Sequence, residues 1–102
     1  MVNKCPVSIR QASILHLEKQ NQKTRIFTKQ KYYDTYETLA SIEKRLENSF
    51  LRVNQSVIVN TQHISSIEQH TIYLKTGKSF KIGRSYIKKV TEHYANYLPT
   101  QS

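Results

Sequence analysis

The stretch Phe50 to Ile67, FLRVNQSVIVNTQHISSI, limits the possible folds more than any other part of the chain. Leu51, Val53, Val57 and Val59 fall on odd positions, so on a strand they share one face. Gln55 breaks that face where a continuous strand would place another apolar side chain. The stretch therefore divides into two strands, with Asn54, Gln55 and Ser56 at an exposed bend. Asn60 suits the N-cap of a short helical turn through Thr61, Gln62 and His63. Ile64 and Ile67, three apart, are placed to close that turn onto a core.

The chain is long enough for one domain with one core: 102 residues, only two Gly and two Pro, and 37% hydrophobic content exclude a disordered tail. Seven Tyr and three Phe lean toward β structure. A single cysteine, Cys5, excludes an internal disulfide and fits a reducing compartment. No apolar run approaches the ~20 residues of a membrane span, and the start lacks a signal-peptide core. The cytoplasm is the expected location.

Charge is distributed in blocks. The net charge is +9, and no acid occurs between Glu18 and Asp34, where Lys19, Lys23, Arg25, Lys29 and Lys31 lie. None occurs between Glu68 and Glu92, where Lys75, Lys78, Lys81, Arg84, Lys88 and Lys89 lie. Asp34, Glu37, Glu43 and Glu47 fall between the two basic runs. If both runs fold to one side, the molecule presents a phosphate-attracting face. The competing reading is a solvated surface without a partner.

Taken in order, residues 1–8 read as a loose start and 9–98 as one domain, with 99–102 as a tail. Ile9 to Leu17 and Thr24 to Thr28 are strand-like, joined through Glu18 to Lys23 as a hairpin longer than a tight two-residue turn. Lys31 to Tyr36 continues as strand or strand and turn. Thr38 to Asn48 reads as a helix, with Thr38 supplying cap chemistry and Leu39, Ile42 and Leu46 forming one apolar stripe. Glu68 to Ile82 forms a hairpin turning at Lys75 to Lys78. Gly83 and Arg84 form a hinge, Ser85 suits an N-cap, and a second helix runs near 85–98 before Pro99. The fold class expected is mainly β with small helices.

This order of signals resembles the LytTR family of bacterial DNA-binding domains. The residues that carry the resemblance are Phe50-x-Arg52-Val53, Ser56-x-x-Val59-Asn60, Ile64 and Ile67, the hairpin with Gly77, and Gly83-Arg84-Ser85-Tyr86 entering the last helix. It spans roughly residues 9 to 98. It implies an elongated body of short stacked antiparallel sheets that binds duplex promoter DNA through loops. It further implies a first major groove entered around Lys23, Thr24 and Arg25, a minor groove at Gln55, and a second major groove at Arg84. The family often has His and a basic residue before the serine, where this chain has Asn54 and Gln55. It often has Ser before the arginine, where this chain has Gly83. Base preferences are not carried over at those positions.

Arg84 is the leading candidate for base reading, since a guanidinium can bond guanine O6 and N7 together. The alternative role is a capping or ion-paired arginine, although a cation at a helix start is unfavourable. Arg52, Asn54, Ser56, Lys75, Lys78, Ser85, Lys88 and Lys89 are candidate phosphate contacts. Arg52 also fits a structural arginine. His16, His63, His70 and His93 show no metal-ligand spacing with one another or with Cys5, and no catalytic constellation or glycine-rich phosphate loop stands out. No cofactor and no enzyme activity are expected. The expected assembly is a monomer in solution that pairs on direct repeats, in a parent that carries a receiver domain or stands alone. Two rival readings remain: a single-stranded RNA-binding β module using Tyr32, Tyr33 and Tyr36, and a protein-interaction module.

Overall fold

A computed structural model describes residues 9–97, and side chains up to residue 93. The loose start at 1–8, the helix end at 98 and the tail at 99–102 lie outside the described residues. Within them are two antiparallel sheets. The first has strands β1 (Ile14–Gln20), β2 (Lys23–Thr28), β3 (Tyr32–Thr35), β4 (Phe50–Asn54) and β5 (Val57–Asn60), in the order β3-β2-β1-β5-β4. The second has β6 (Ile64–Glu68), β7 (Thr71–Leu74) and β8 (Ser79–Lys81), in sequence order. The body measures 48 × 25 × 24 Å, the elongated form expected for stacked short sheets.

The odd-position face of the central stretch is where the periodicity puts it. Leu51, Val53, Val57 and Val59 are buried in one cluster with Ile64, Ile72, Leu74, Ile82 and Val90, between the first sheet, the second sheet and α2 (Ile87–Tyr97). Phe50 and Ile58, on even positions, face the other way and join Ile14, Leu17, Ile26, Leu39 and Ile42 under α1 (Leu39–Glu43). The first sheet thus has an apolar core on each side. Asn60 caps the 3-10 turn Thr61–His63 through its side chain, which accepts from the Gln62 N–H at 3.0 Å. Its amide also donates to the Ile14 carbonyl at 2.9 Å, a buried bond across 46 residues. Ile64 and Ile67 reach the same core from a strand, not from the turn. A bulge between Ile64 and Ser66 inserts one residue, which converts a spacing of three into one face.

Several expected boundaries move. The first hairpin is tight after all: Gln20 pairs with Lys23, leaving only Asn21 and Gln22 at the tip, with Asn21 at φ 59°. Asparagine tolerates that conformation, which two-residue hairpins require. The helix expected over 38–48 narrows to Leu39–Glu43. Thr38 caps it by accepting from the Ser41 N–H at 3.1 Å. Beyond Glu43 the bonds tighten to three-residue steps, Arg45 N–H to Ile42 and Leu46 N–H to Glu43. Gln11 then holds the chain from outside, donating to the Arg45 carbonyl and accepting from the Glu47 N–H. Leu46 still packs on the core, so the apolar stripe survives while the regular helix does not. Ser85 is not an N-cap. It is exposed within a 3-10 turn, Arg84–Tyr86, that begins when the Tyr86 N–H bonds the Gly83 carbonyl at 2.8 Å.

Candidate nucleic-acid interface

Strand register decides which candidate residues meet. The β1–β2 tip, the β4–β5 turn at Gln55 and Ser56, and the chain leaving β8 at Gly83 lie at one end of the first sheet. Three bonds join them. The Lys19 N–H donates to the Ser56 carbonyl at 2.7 Å, and the Gly83 N–H donates to the Val53 carbonyl at 2.8 Å. The Asn54 amide donates to the Lys81 carbonyl at 2.8 Å. A groove of ≈ 310 Å³ separates the first tip from the Gln55 turn, and an open hollow of ≈ 630 Å³ separates that turn from Arg84 and Ser85. Gln55 borders both. One continuous edge therefore carries Lys19, Lys23, Gln55, Ser56, Arg84 and Ser85.

The electrostatics of this edge come from where the acids are used. Asp34 takes a two-pronged bond from Arg25, at 2.8 and 3.1 Å, and lies 3.9 Å from Lys23. That bond from Arg25 holds the Asp34 carboxyl below its ordinary pKa. Glu37 pairs with Arg45 and Glu43 with Arg52. Lys19, Lys81, Arg84, Lys88 and Lys89 are exposed and have no carboxylate partner among the described residues. Arg84 opens the 3-10 turn that leads into α2, where the helix start is itself partly positive. Nothing within the described fold compensates its charge, so the site favours an anionic or acceptor-rich ligand.

Not every candidate has a side chain free at that edge. Thr24 is only 1% exposed and its hydroxyl donates to the Glu37 carbonyl at 2.8 Å, so although it lines the groove beside the first tip, its donor is already used within the fold. Arg25 is committed to Asp34 and lies 3.8 Å over the Tyr32 ring. Asn54 is spent on the turn itself, accepting from the Ser56 N–H at 2.7 Å and donating to Lys81. Arg52 spends its guanidinium on the carbonyls of Asn54 and Gln55 and on Glu43, each at 2.9 Å. Lys75 and Lys78 lie in the β7–β8 turn at the far end: the Lys78 ammonium sits 4.9 Å over Phe27, and the Lys75 N–H bonds the His63 carbonyl. Phe27 is four residues from Lys23 along β2, about 13 Å at the rise of a strand. The single basic face expected from the two runs is therefore divided, and Lys75 lies with Lys29 near His63, away from the first tip. Lys88 and Lys89 occupy exposed positions of α2.

Asn21 and Gln22 were not singled out, yet they form the exposed tip next to Lys23. The signal was present: strand character continues through Lys19 and Gln20, and Asn is a preferred residue at a tight turn. Of the tyrosines expected to serve a stacking platform, Tyr32 and Tyr36 are exposed, but Tyr32 and Tyr33 do not share a face. Tyr32 lies under Arg25, and Tyr33 packs toward the α1 core with Lys31 above it.

Comparison with known proteins shows the family and the fold. The chain matches the LytTr DNA-binding domain family over residues 4–95. It is 34% identical over 86 residues to the transcriptional regulatory protein LytR of Staphylococcus aureus strain N315, covering 78% of this chain and 35% of that protein. It is 38% identical over 81 residues to the sensory transduction protein LytR of Staphylococcus epidermidis, covering 74% of this chain and 32% of that one. The chain thus spans about a third of the length of these relatives. A solved LytTr DNA-binding domain from a Bacillus cereus protein superposes with a TM-score of 0.78 at 22% identity, over 85% of each chain.

Proposed function

The chain belongs to the LytTR family of DNA-binding domains, and on that premise we propose that it docks on duplex promoter DNA along the edge from Lys23 through Gln55 to Arg84. The β1–β2 tip enters one major groove, Gln55 meets the intervening minor groove, and Arg84 enters the next major groove. Lys19, Lys23, Ser56, Ser85, Lys88 and Lys89 supply phosphate contacts. The observation that carries this reading is Arg84, an exposed arginine at a helix start with no acidic partner among the described residues. A base edge or phosphate supplies the missing acceptor.

The relatives it matches are about three times its length, which supports a parent regulator with this domain as the output module and a receiver domain as the input, acting in the cytoplasm; a small stand-alone regulator is the alternative. The domain is a monomer that pairs on direct repeats about one helical turn apart, which places two copies on the same side of the duplex. Among the described residues no helix is long and apolar enough to cross a membrane.

A mobility-shift titration over a salt series tests the reading. With six phosphate contacts the slope of log affinity against log salt is about −5. A flat response removes it, and preferential capture of single-stranded RNA over duplex DNA moves it to the RNA-binding alternative.

A further inference from the structure

We infer that Arg52 is a positioning residue that fixes the DNA-facing turn, and that it does not itself hold phosphate. This rests on the proposed docking edge. Arg52 lies on the α1 side of β4 with a side chain only 16% exposed. Its Nε donates to the Asn54 carbonyl and one terminal nitrogen to the Gln55 carbonyl; the other terminal nitrogen donates to Glu43 Oε1.

Each bond uses the planar fork of the guanidinium, which an ammonium cannot reproduce. The two carbonyls are those of the turn itself. Glu43, at the last residue of α1, neutralises the cation and fixes its rotamer. Asn54 closes the same turn from the opposite side through Ser56 and Lys81. The turn is therefore gripped on both flanks. At its crest the Gln55 side chain is exposed and makes no hydrogen bond among the described residues. This is how a short polar bend presents one amide at a fixed height beside Arg84. It also gives α1 a role: it carries the carboxylate that orients the clamp.

The test uses Arg52→Lys, which keeps the charge, with Glu43→Gln, Gln55→Ala and the Arg52→Lys/Gln55→Ala pair. Exchange of the Ser56 amide in the free protein reads the clamp without DNA. It should accelerate in both Arg52→Lys and Glu43→Gln. Unchanged exchange overturns the inference whatever the DNA results are.

In binding, Arg52→Lys should weaken the specific duplex about tenfold and random duplex less than about twofold, the loss of aligned contacts rather than of charge. The salt slope should stay the same, and Gln55→Ala should absorb most of the effect in the pair. A phosphate-holding arginine gives the opposite pattern: Arg52→Lys binds both duplexes like the parent, and Glu43→Gln tightens both equally. That result also overturns the inference. If Gln55→Ala alone changes no affinity, the groove assignment of Gln55 fails, while Ser56 exchange still decides the clamp.

Discussion

The Lys19 N–H donates to the Ser56 carbonyl at 2.7 Å, joining the end of β1 to the turn between β4 and β5. Two loops 37 positions apart in sequence are thereby held in one plane of the sheet. With Gly83 bonded to Val53 on the other flank, three loops become one edge whose spacing is set by strand pairing. A site built on paired strands keeps its geometry without a ligand, and this distinguishes the edge from a set of mobile loops.

Gly83 is a glycine for space, since its φ of −65° suits any residue. A Cβ there would lie 3.1 Å from Tyr86 Cδ2 and 3.3 Å from Asn54 Cβ. The ring can turn aside, but Asn54 is tied on both ends of its amide. Gly83→Ala should therefore cost about 1 kcal/mol of stability by overpacking. It should also weaken the specific duplex by displacing Arg84 from the turn. Thermal melting and a duplex titration check both; an unchanged melting temperature contradicts the close-packing account.

Thr24→Val removes a buried donor and leaves the Glu37 carbonyl without it. The expected loss is about 1–2 kcal/mol in denaturant unfolding. The ratio of specific to random binding should not move, because the hydroxyl points into the fold. A change in that ratio with stability intact would return Thr24 to the interface.

His16 gives the fold a pH dependence. It is 2% exposed, stacked on Phe27 with ring centroids 4.3 Å apart and tilted against Phe80 at 4.8 Å, between the two sheets. Its Nε2 faces Glu18 at 3.3 Å, and its Nδ1 has no hydrogen-bond partner among the described residues. Burial lowers its pKa below 6.5, against the pull of Glu18 and with further help from Lys78. Below pH 6.5 the unfolded chain takes up a proton that the folded one refuses, so stability is full above that pH and falls as pH drops. His63 is lowered too, by burial and then by Lys29 and Lys75, and adds to the same slope. Melting at pH 7.5 and 5.5 should show a decrease that shrinks in His16→Phe. Equal decreases in both proteins would assign the effect elsewhere.

The sequence was most readable where one period dominated. The alternation around Gln55 placed Leu51, Val53, Val57 and Val59 on a single buried face, and Asn60 behaved as its cap chemistry suggested. It was least readable where a side chain from far away decided the outcome. Gln11 ends the α1 segment from 36 residues upstream of Glu47, and no local pattern announces it. The arginines could not be ranked by type: Arg25 and Arg52 are each held by a carboxylate from another element, and the exposed Arg84 is not. Only pairing across strands shows which cation is left for a ligand. It also separated Lys75 and Lys78 from the runs they appeared to join.

The central claim is that Arg84 reads bases while its neighbours hold the backbone. The direct measurement is the affinity of Arg84→Ala and Lys88→Ala for the specific and random duplexes, with folding verified by melting. Arg84→Ala should lose roughly 1–3 kcal/mol on the specific site, flatten the preference at one or two base pairs, and lose less on random duplex. Lys88→Ala should lose equally on both, with a salt slope shallower by about one. If Arg84→Ala weakens both duplexes equally, Arg84 is a phosphate clamp, and sequence is read elsewhere, at the Lys23 tip.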